Sequence, residues 1–217
     1  MTLETLLDTK RGRVVGIANE HSIAAARAPA FRAAGVKLAV THADEKSGPN
    51  VEPLKAKLGA PIFLPLDVEK EGVFDTIDAE WSKLDLLLHS IVSCPKDDLH
   101  GPVSECSKDG FAQAMDISVH SQIRMPRLTV PLMPDGGSIL TMSYCGADKV
   151  VDHFTIMGPV KTALESTMRY LAAELGLTCI RVDAISHGPL RTRAGSGIDH
   201  FDAPIDAVVA AAVLRAR

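Results

Sequence analysis

The chain has 217 residues, 46% of them apolar and 23% charged, and at about 150 residues per domain that length favours a single domain spanning 1–217. Lys and Arg number 23 against 27 Asp and Glu, leaving a formal charge of −4 with pI near 6.0 and no basic run, so a nucleic-acid partner is not expected. Mean hydropathy is +0.12, and no apolar stretch approaches the length of a membrane span, so neither disorder nor membrane insertion is expected. Residues 1–10 have neither the cationic start nor the apolar stretch of a secretory signal, which points to the cytoplasm. Cys94, Cys106, Cys145 and Cys179 show no CxxC spacing, so no disulfide framework and no metal site is expected.

In chain order, the apolar run 13–17 reads as a strand that opens into an alanine-rich helix over 22–34, closed by Gly35. A second strand follows at 36–41, then a helix over 51–58 and a third strand at 61–66. Val73, Phe74, Ile77 and Trp81 mark an amphipathic helix over 69–83 that leads to the nearly unbroken apolar strand 84–89. The second half predicts a helix over 108–133, a turn at 134–137, a strand at 138–143, a long helix over 153–175 and a sixth strand at 180–185. Residues 190–217 read as a loop and an alanine-valine helix from 204 onward. Strands apolar on both faces, alternating with helices, call for a parallel sheet covered on each side: a doubly wound, Rossmann-like α/β fold with six strands.

In such a sheet ligands bind beyond the carboxyl ends of the strands, where strand order reverses. At the first strand end, Gly16 makes the tight turn and Ser22-Ile23 opens a helix whose free N–H groups suit a pyrophosphate or, more plainly, are capped by Ser22. The turn lacks the full G-x-G-x-x-G pattern, since Ala26 stands near where a later glycine would sit. Asp67-Val68 after the third strand is placed to take the amino group of an adenine, and Ser90-Ile91 after the fourth can line the ribose and phosphate path. Lys161 lies within the first turns of the long helix, and Tyr144 precedes it by 17 positions, a spacing that a loop can fold into contact. A nearby ammonium would lower the phenol's pKa and strengthen it as a proton donor.

Together these residues resemble the bacterial enoyl-acyl-carrier-protein reductases, atypical members of the short-chain dehydrogenase superfamily. The resemblance runs from about Arg13 to Ile198. It rests on seven ordered blocks: Gly16-x5-Ser22-Ile23-Ala24, Asp67-Val68, His89-Ser90-Ile91, Asp116-Ile117-Ser118, Ser143-Tyr144-Cys145-Gly146-Ala147, Met157-Gly158-Pro159-Val160-Lys161, and Ser186-His187-Gly188-Pro189-Leu190-Arg191-Thr192. It implies that Gly16, Ser22 and Ile23 cradle a dinucleotide, that Ala43, Asp67 and Val68 lie at its adenosine end, and that Ser90 and Ile91 run along it. By the same resemblance Lys161 bonds the nicotinamide ribose, Leu190, Arg191, Thr192, Arg193 and Ala194 cover the nicotinamide amide, and Cys94 sits at the acyl site. The implied reaction is hydride transfer from NADH to the β-carbon of a trans-2-enoyl thioester carried on acyl-carrier protein, a step of fatty acid biosynthesis. A homo-oligomer, dimer or tetramer, is implied, with contact through the helices at 108–133 and 153–175.

The sequence departs from that pattern at three places. The family's second tyrosine, seven residues before the lysine, is Phe154 here, so a hydroxyl that faces the thioester carbonyl is absent. Val92 stands where the family usually has glycine and is expected to crowd the cleft against flat aromatic ligands. Family members continue beyond the point matching Arg217, so a C-terminal strand and part of the substrate lid over 190–217 are expected to be missing. The alternative reading is a catalytically inactive, reductase-like protein that binds a dinucleotide without turnover. An ordinary ketone-reducing member of the superfamily would place a tyrosine four residues before the lysine, where this chain has Met157. His42-Ala43-Asp44-Glu45-Lys46 offers no arginine to a 2′-phosphate and sets two carboxylates beside it, so NADH is expected over NADPH.

Overall fold

Six strands pair side by side, all parallel, in the order β3-β2-β1-β4-β5-β6 in the computed structural model, which describes residues 6–68, 81–188, 190 and 192. They are β1 (Arg11–Val15), β2 (Lys37–His42), β3 (Ile62–Pro65), β4 (Leu86–His89), β5 (Gly137–Tyr144) and β6 (Ile180–His187). The order reverses between β1 and β4, which pair directly with Val14 beside Leu88 and Val15 beside His89. The helices are α1 (Ile23–Ala33), α2 (Gly48–Leu58), the single turn α3 (Lys96–Leu99), α4 (Lys108–Met115), α5 (Ser121–Thr129) and α6 (Met157–Leu175).

Successive strand residues point to opposite faces, and here both faces are apolar. Val14, Leu38, Val40 and Leu88 pack with Ala24, Ala25 and Ala28 of α1 and Val51, Leu54 and Leu58 of α2. Val15, Ala39, Leu87 and Ile139 pack on the other side with Met125 of α5 and Leu171 of α6. The alanines of α1 let that helix approach the sheet closely, as the short side chains of the predicted helix require. A third apolar cluster, with Tyr144, Phe154, Met157, Val160 and Leu164, sits at the carboxyl end of β5, away from the two main layers. Among the described residues no helix is long and apolar enough to cross a membrane.

All six predicted strands are present, so the expected fold class stands, but several boundaries move. β1 ends at Val15 because Gly16, at φ +99°, turns the chain out of the sheet. The helix predicted from 153 begins at Met157, because His153 (φ +62°) and Thr155 (φ +39°) are left-handed and cannot continue a helix. The helix predicted over 108–133 is interrupted by a wide π-helical turn, Asp116–His120, between α4 and α5, and tightens into a 3-10 turn at Val130–Leu132. α3, four residues long, was too short to leave a periodic signal. Of the helix predicted over 69–83, residues 69–80 lie outside the described residues, and 81–83 are not helical. The helix predicted from 204 also lies outside the described residues.

Leu87 is fully buried at the centre of the sheet, and Leu177 is 93% exposed. Leu87→Ala is expected to cost about 2–5 kcal/mol in denaturant unfolding and Leu177→Ala less than about 0.5 kcal/mol. Equal losses would mean that the two-faced core is misplaced.

Candidate active site

The reversal of strand order opens a cavity of about 380 Å³ at the carboxyl ends of β1 to β4. Gly16, Ser22 and Ile23 form one wall, with Ala43, Asp67 and Val68 at one end and Ser90, Ile91, Val92 and Ile117 opposite. Gly16 is required twice over. Its φ of +99° favours glycine, and a Cβ there would lie 1.9 Å from the carbonyl oxygen of Ser90. The backbone after β1 therefore runs against the backbone after β4 and leaves the space above it open. Ser22 caps α1, accepting the Ala25 N–H at 3.4 Å, while its hydroxyl donates to the Asn19 carbonyl at 2.7 Å. The remaining first-turn N–H groups and the positive end of the helix face the cavity mouth, an arrangement that fits an anionic phosphate bridge. The cradle, the flat apolar sides at Val68 and Ile91, and the carboxylate of Asp67 together fit a dinucleotide.

Lys161 enters from α6 on the other side of the β5 tip. It is 6% exposed, and its ammonium donates to the Met142 carbonyl at 2.7 Å. Burial pushes its pKa down to about 8, with the Glu165 carboxylate acting in the opposite direction. Tyr144 does not behave as the spacing suggested. Its ring lies between Phe154 (centroids 4.9 Å apart) and His187 (5.7 Å), and burial pushes the phenol up, the adjacent Cys145 thiol adding to the effect. The expected acidification by Lys161 is thus reversed: the ammonium is spent on a backbone carbonyl, and desolvation decides the direction. Phe154 is buried in the same cluster, and Gly146 makes room for it, since a Cβ there would come within 2.4 Å of the ring.

Beneath the cavity lies a buried polar network. The Ser121 hydroxyl donates to Ile117 O at 2.6 Å, so it has no proton left for His89 and must accept from His89 Nε2 at 2.7 Å. His89 Nδ1 then accepts from the Thr141 hydroxyl at 3.1 Å. His89 is completely buried, and desolvation, helped by the charge of Lys161, depresses its pKa to about 3. Ser118 exchanges bonds with the backbone of Ser93, accepting its N–H at 3.1 Å and donating to its carbonyl at 3.2 Å. The wide turn at Asp116–His120 thus ties the loop after β4 to α4 and α5. Arg124, one turn into α5, donates to the Val68 carbonyl and to Asp116 Oδ1 at 3.1 Å, and contacts His120 Nδ1 at 2.9 Å.

Of the residues singled out by sequence, Gly16, Ser22, Ile23, Ala43, Asp67, Val68, Ser90, Ile91 and Thr192 line this one cavity, and so does Val92, whose side chain is partly exposed at its wall. Lys161, Tyr144 and Phe154 gather instead around the tip of β5, outside the lining. Cys94 packs against that second cluster. Its thiol is pushed up to about 11, first by burial and then by Asp98 and Cys106, so it is a neutral wall and not a nucleophile. Leu190 is exposed and does not line the cavity; Arg191, Arg193 and Ala194 lie outside the described residues. Sequence reasoning missed Arg124 and the Ser121–His89–Thr141 chain. The spacing of Asp116, His120 and Arg124, each four residues on, was a legible sign of one polar helix face.

His89 gives a pH prediction. Its folded pKa lies below its unfolded value, so between pH 6.5 and about 3 the unfolded chain binds the extra proton. Stability is complete above pH 6.5 and is lost as pH falls towards 3, by about 2–5 kcal/mol from this group. His89→Asn is expected to flatten that part of the stability-against-pH curve, read by urea unfolding; an unchanged slope would remove His89 as its source.

Comparison with known proteins agrees with this geometry. A family model described as Enoyl-(Acyl carrier protein) reductase matches residues 16–217. An NADH enoyl-acyl-carrier-protein reductase of Rhizobium meliloti (strain 1021) is 43% identical over 200 residues, covering 90% of this chain and 74% of that protein. The crystal structure of the NADH enoyl-acyl-carrier-protein reductase from Aquifex aeolicus VF5 superposes with a TM-score of 0.89 at 39% identity, covering 93% of this chain and 81% of that one. The enzyme from Anaplasma phagocytophilum, solved in complex with NAD, gives 0.87 at 40% identity, covering 92% and 78%. With most of its length matched by the family model and by relatives well above 30% identity, the chain belongs to the enoyl-acyl-carrier-protein reductase family.

Proposed function

We propose that this chain reduces the trans-2 double bond of enoyl thioesters carried on acyl-carrier protein, using NADH, as a cytoplasmic homo-oligomer built on a single domain. The observation that carries the reading is the convergence of Gly16, Ser22, Ile23, Asp67, Val68 and Ile91 on one cavity at the β1/β4 reversal, with Lys161 at the neighbouring strand tip. When bound, NADH supplies a hydride to the enoyl β-carbon, which leaves negative charge on the thioester oxygen.

The chain's own residues then have distinct tasks. Gly16 keeps the loop backbone low, and the N–H groups at the start of α1 take the pyrophosphate. Asp67 accepts from the adenine amino group, and Val68 and Ile91 pack against flat rings. Lys161 donates to the nicotinamide ribose hydroxyls, exchanging the Met142 carbonyl for them or sharing between the two. Thr192, which lines the same cavity, lies over the nicotinamide amide, and Cys94 forms part of the acyl wall. At the adenosine end Asp44 is exposed and held ionised by the Ser47 N–H, which donates to its carboxylate at 2.8 Å. That charge would repel a 2′-phosphate and favours NADH over NADPH.

Phe154 leaves the thioester oxygen without the donor that the family pattern supplies. The raised pKa of Tyr144 keeps its phenol protonated at neutral pH, yet its ring is packed between Phe154 and His187. One missing preorganised donor costs on the order of 10²- to 10³-fold in rate. Phe154 is also the one observation that favours a second reading, a protein that binds the dinucleotide without turning over an enoyl thioester.

Two measurements on the same samples separate these readings: fluorescence titration with NADH, and NADH oxidation with an enoyl thioester. The unaltered chain is expected to bind NADH saturably and turn over slowly. Phe154→Tyr is expected to raise kcat by about 10²-fold with NADH affinity unchanged within about twofold. Saturable binding with no turnover in either form would establish the binding protein, and no saturable binding would remove both.

A further inference from the structure

Lys161 and Glu165 stand one turn apart on the same side of α6, and Met142 and Ser143 are consecutive residues of β5. The two pairs meet rung for rung. Lys161 Nζ donates to the Met142 carbonyl at 2.7 Å, and the Ser143 hydroxyl donates to Glu165 Oε1 at 2.5 Å. Ser143 and Lys161 are buried, and Glu165 is half-buried. We propose that Glu165, one helical turn from Lys161 and anchored by Ser143, is a positioning residue for it: the fixed carboxylate supplies the counter-charge for the buried ammonium that the Met142 carbonyl holds at the β5 tip, ready for the cofactor ribose. The inference rests on the reading of Lys161 as the ribose ligand.

The energetic reasoning is direct. A lysine removed from water loses its proton readily, and pKa values of about 5–6 are reached in fully apolar sites. The neutral carbonyl of Met142 orients the ammonium but does not balance its charge. Among the described residues the other ionisable groups that sense Lys161 are His89 on β4 and His187 on β6; burial pushes both of their pKa values down and the Lys161 charge adds to it, so neither can neutralise it. Arg27 of α1 acts on His187 in the same sense. Glu165 is the counter-charge that acts on Lys161, and with it the ammonium titrates at about 8, within reach of a working pH. Ser143 completes the device, since a carboxylate tied to the strand cannot swing out to solvent and leave the lysine unbalanced.

A purely structural role for the Ser143–Glu165 bond would change stability and leave the titration of Lys161 where it is. Two readouts distinguish the cases: carbon-13 NMR of the lysine ε-carbons, with the Lys161 signal assigned by its loss in Lys161→Met, and the pH dependence of NADH affinity. In the unaltered chain both are expected to show a midpoint near pH 8. Glu165→Gln preserves shape and can still accept from Ser143, and it should move both midpoints down by about one pH unit. Ser143→Ala keeps the carboxylate but frees it, and should move them by less. Glu165→Gln with the unaltered midpoint in the NMR titration would overturn the proposal. Should that variant not fold, an unmoved midpoint in Ser143→Ala overturns it instead. Failure of NADH to saturate at any pH would remove the ribose-ligand reading, and the NMR titration would still judge whether Glu165 holds the charge on Lys161.

Discussion

One buried ammonium sets the terms for this structure. Lys161 is almost wholly removed from water, and the cost of that burial forces every neighbouring choice. Its nearest acceptor is a backbone carbonyl at the end of β5, so α6 must pack in a single register against β5 and β6 to bring Nζ there. Burial holds two histidines neutral, one deep in the sheet at His89 and one at the tip of β6 at His187, and the charge of Lys161 acts in the same direction on both. A neutral His89 with a fixed tautomer can serve as a link between Thr141 and Ser121; a protonated one would donate from both ring nitrogens and require the Thr141 hydroxyl to turn from donor to acceptor. The polar interior under the cavity and the cationic group beside it are therefore one electrostatic problem.

The cavity itself follows from topology. Where chain connections leave in opposite directions from β1 and β4, no helix can cover the gap between them, and a cleft must remain above the strand ends. What the sequence adds is a means of keeping that cleft open. Gly16 lies against the Ser90 carbonyl at a distance no side chain could tolerate, so the loop that would otherwise fill the gap is drawn down onto the sheet. The wide turn at Asp116–His120 makes the opposite wall. It turns Ile117 into the cleft, aims Ser118 at Ser93, and leaves Arg124 to hold the carbonyl of Val68 across from it. A regular helix through the same residues would rotate these groups away from one another, which fits the tendency of π-helical turns to occur at functional sites.

These same features explain what could be read from residues alone. Strands such as 84–89 are buried on both faces, so their composition is almost purely apolar and their positions were plain; Gly16 and Gly35 marked their turns correctly. The motif blocks located nine residues of one cavity, because phosphate and adenine sites use residues next to strand ends, where order along the chain nearly fixes position in space. Legibility failed where geometry depends on residues distant in sequence. The start of α6 is set by two left-handed residues, His153 and Thr155, neither of which carries the usual mark of such a conformation. The environment of Tyr144 depends on Phe154 and on His187, its neighbour across the β5–β6 ladder, and no spacing rule joins position 144 to position 187.

Phe154 shows how binding and chemistry are separated in this fold. The ring fills the space that Gly146 leaves, stacks on Tyr144 and helps to bury the first turn of α6, all of which an aromatic side chain does with or without a hydroxyl. Selection for folding alone therefore does not distinguish phenylalanine from tyrosine at this position. The cradle around Gly16 and Asp67 lies on the other side of the β4–β5 boundary and shares no side-chain contact with Phe154 among those described, so it can hold a dinucleotide whatever stands at 154. In the proposed reaction a hydroxyl would matter only once charge develops on a thioester oxygen, and a Lys161 that orients the cofactor would not by itself stabilise that charge. Over the described residues the fold of the reductase family is thus kept, while charge developing on a bound thioester would need a donor other than the side chain at 154.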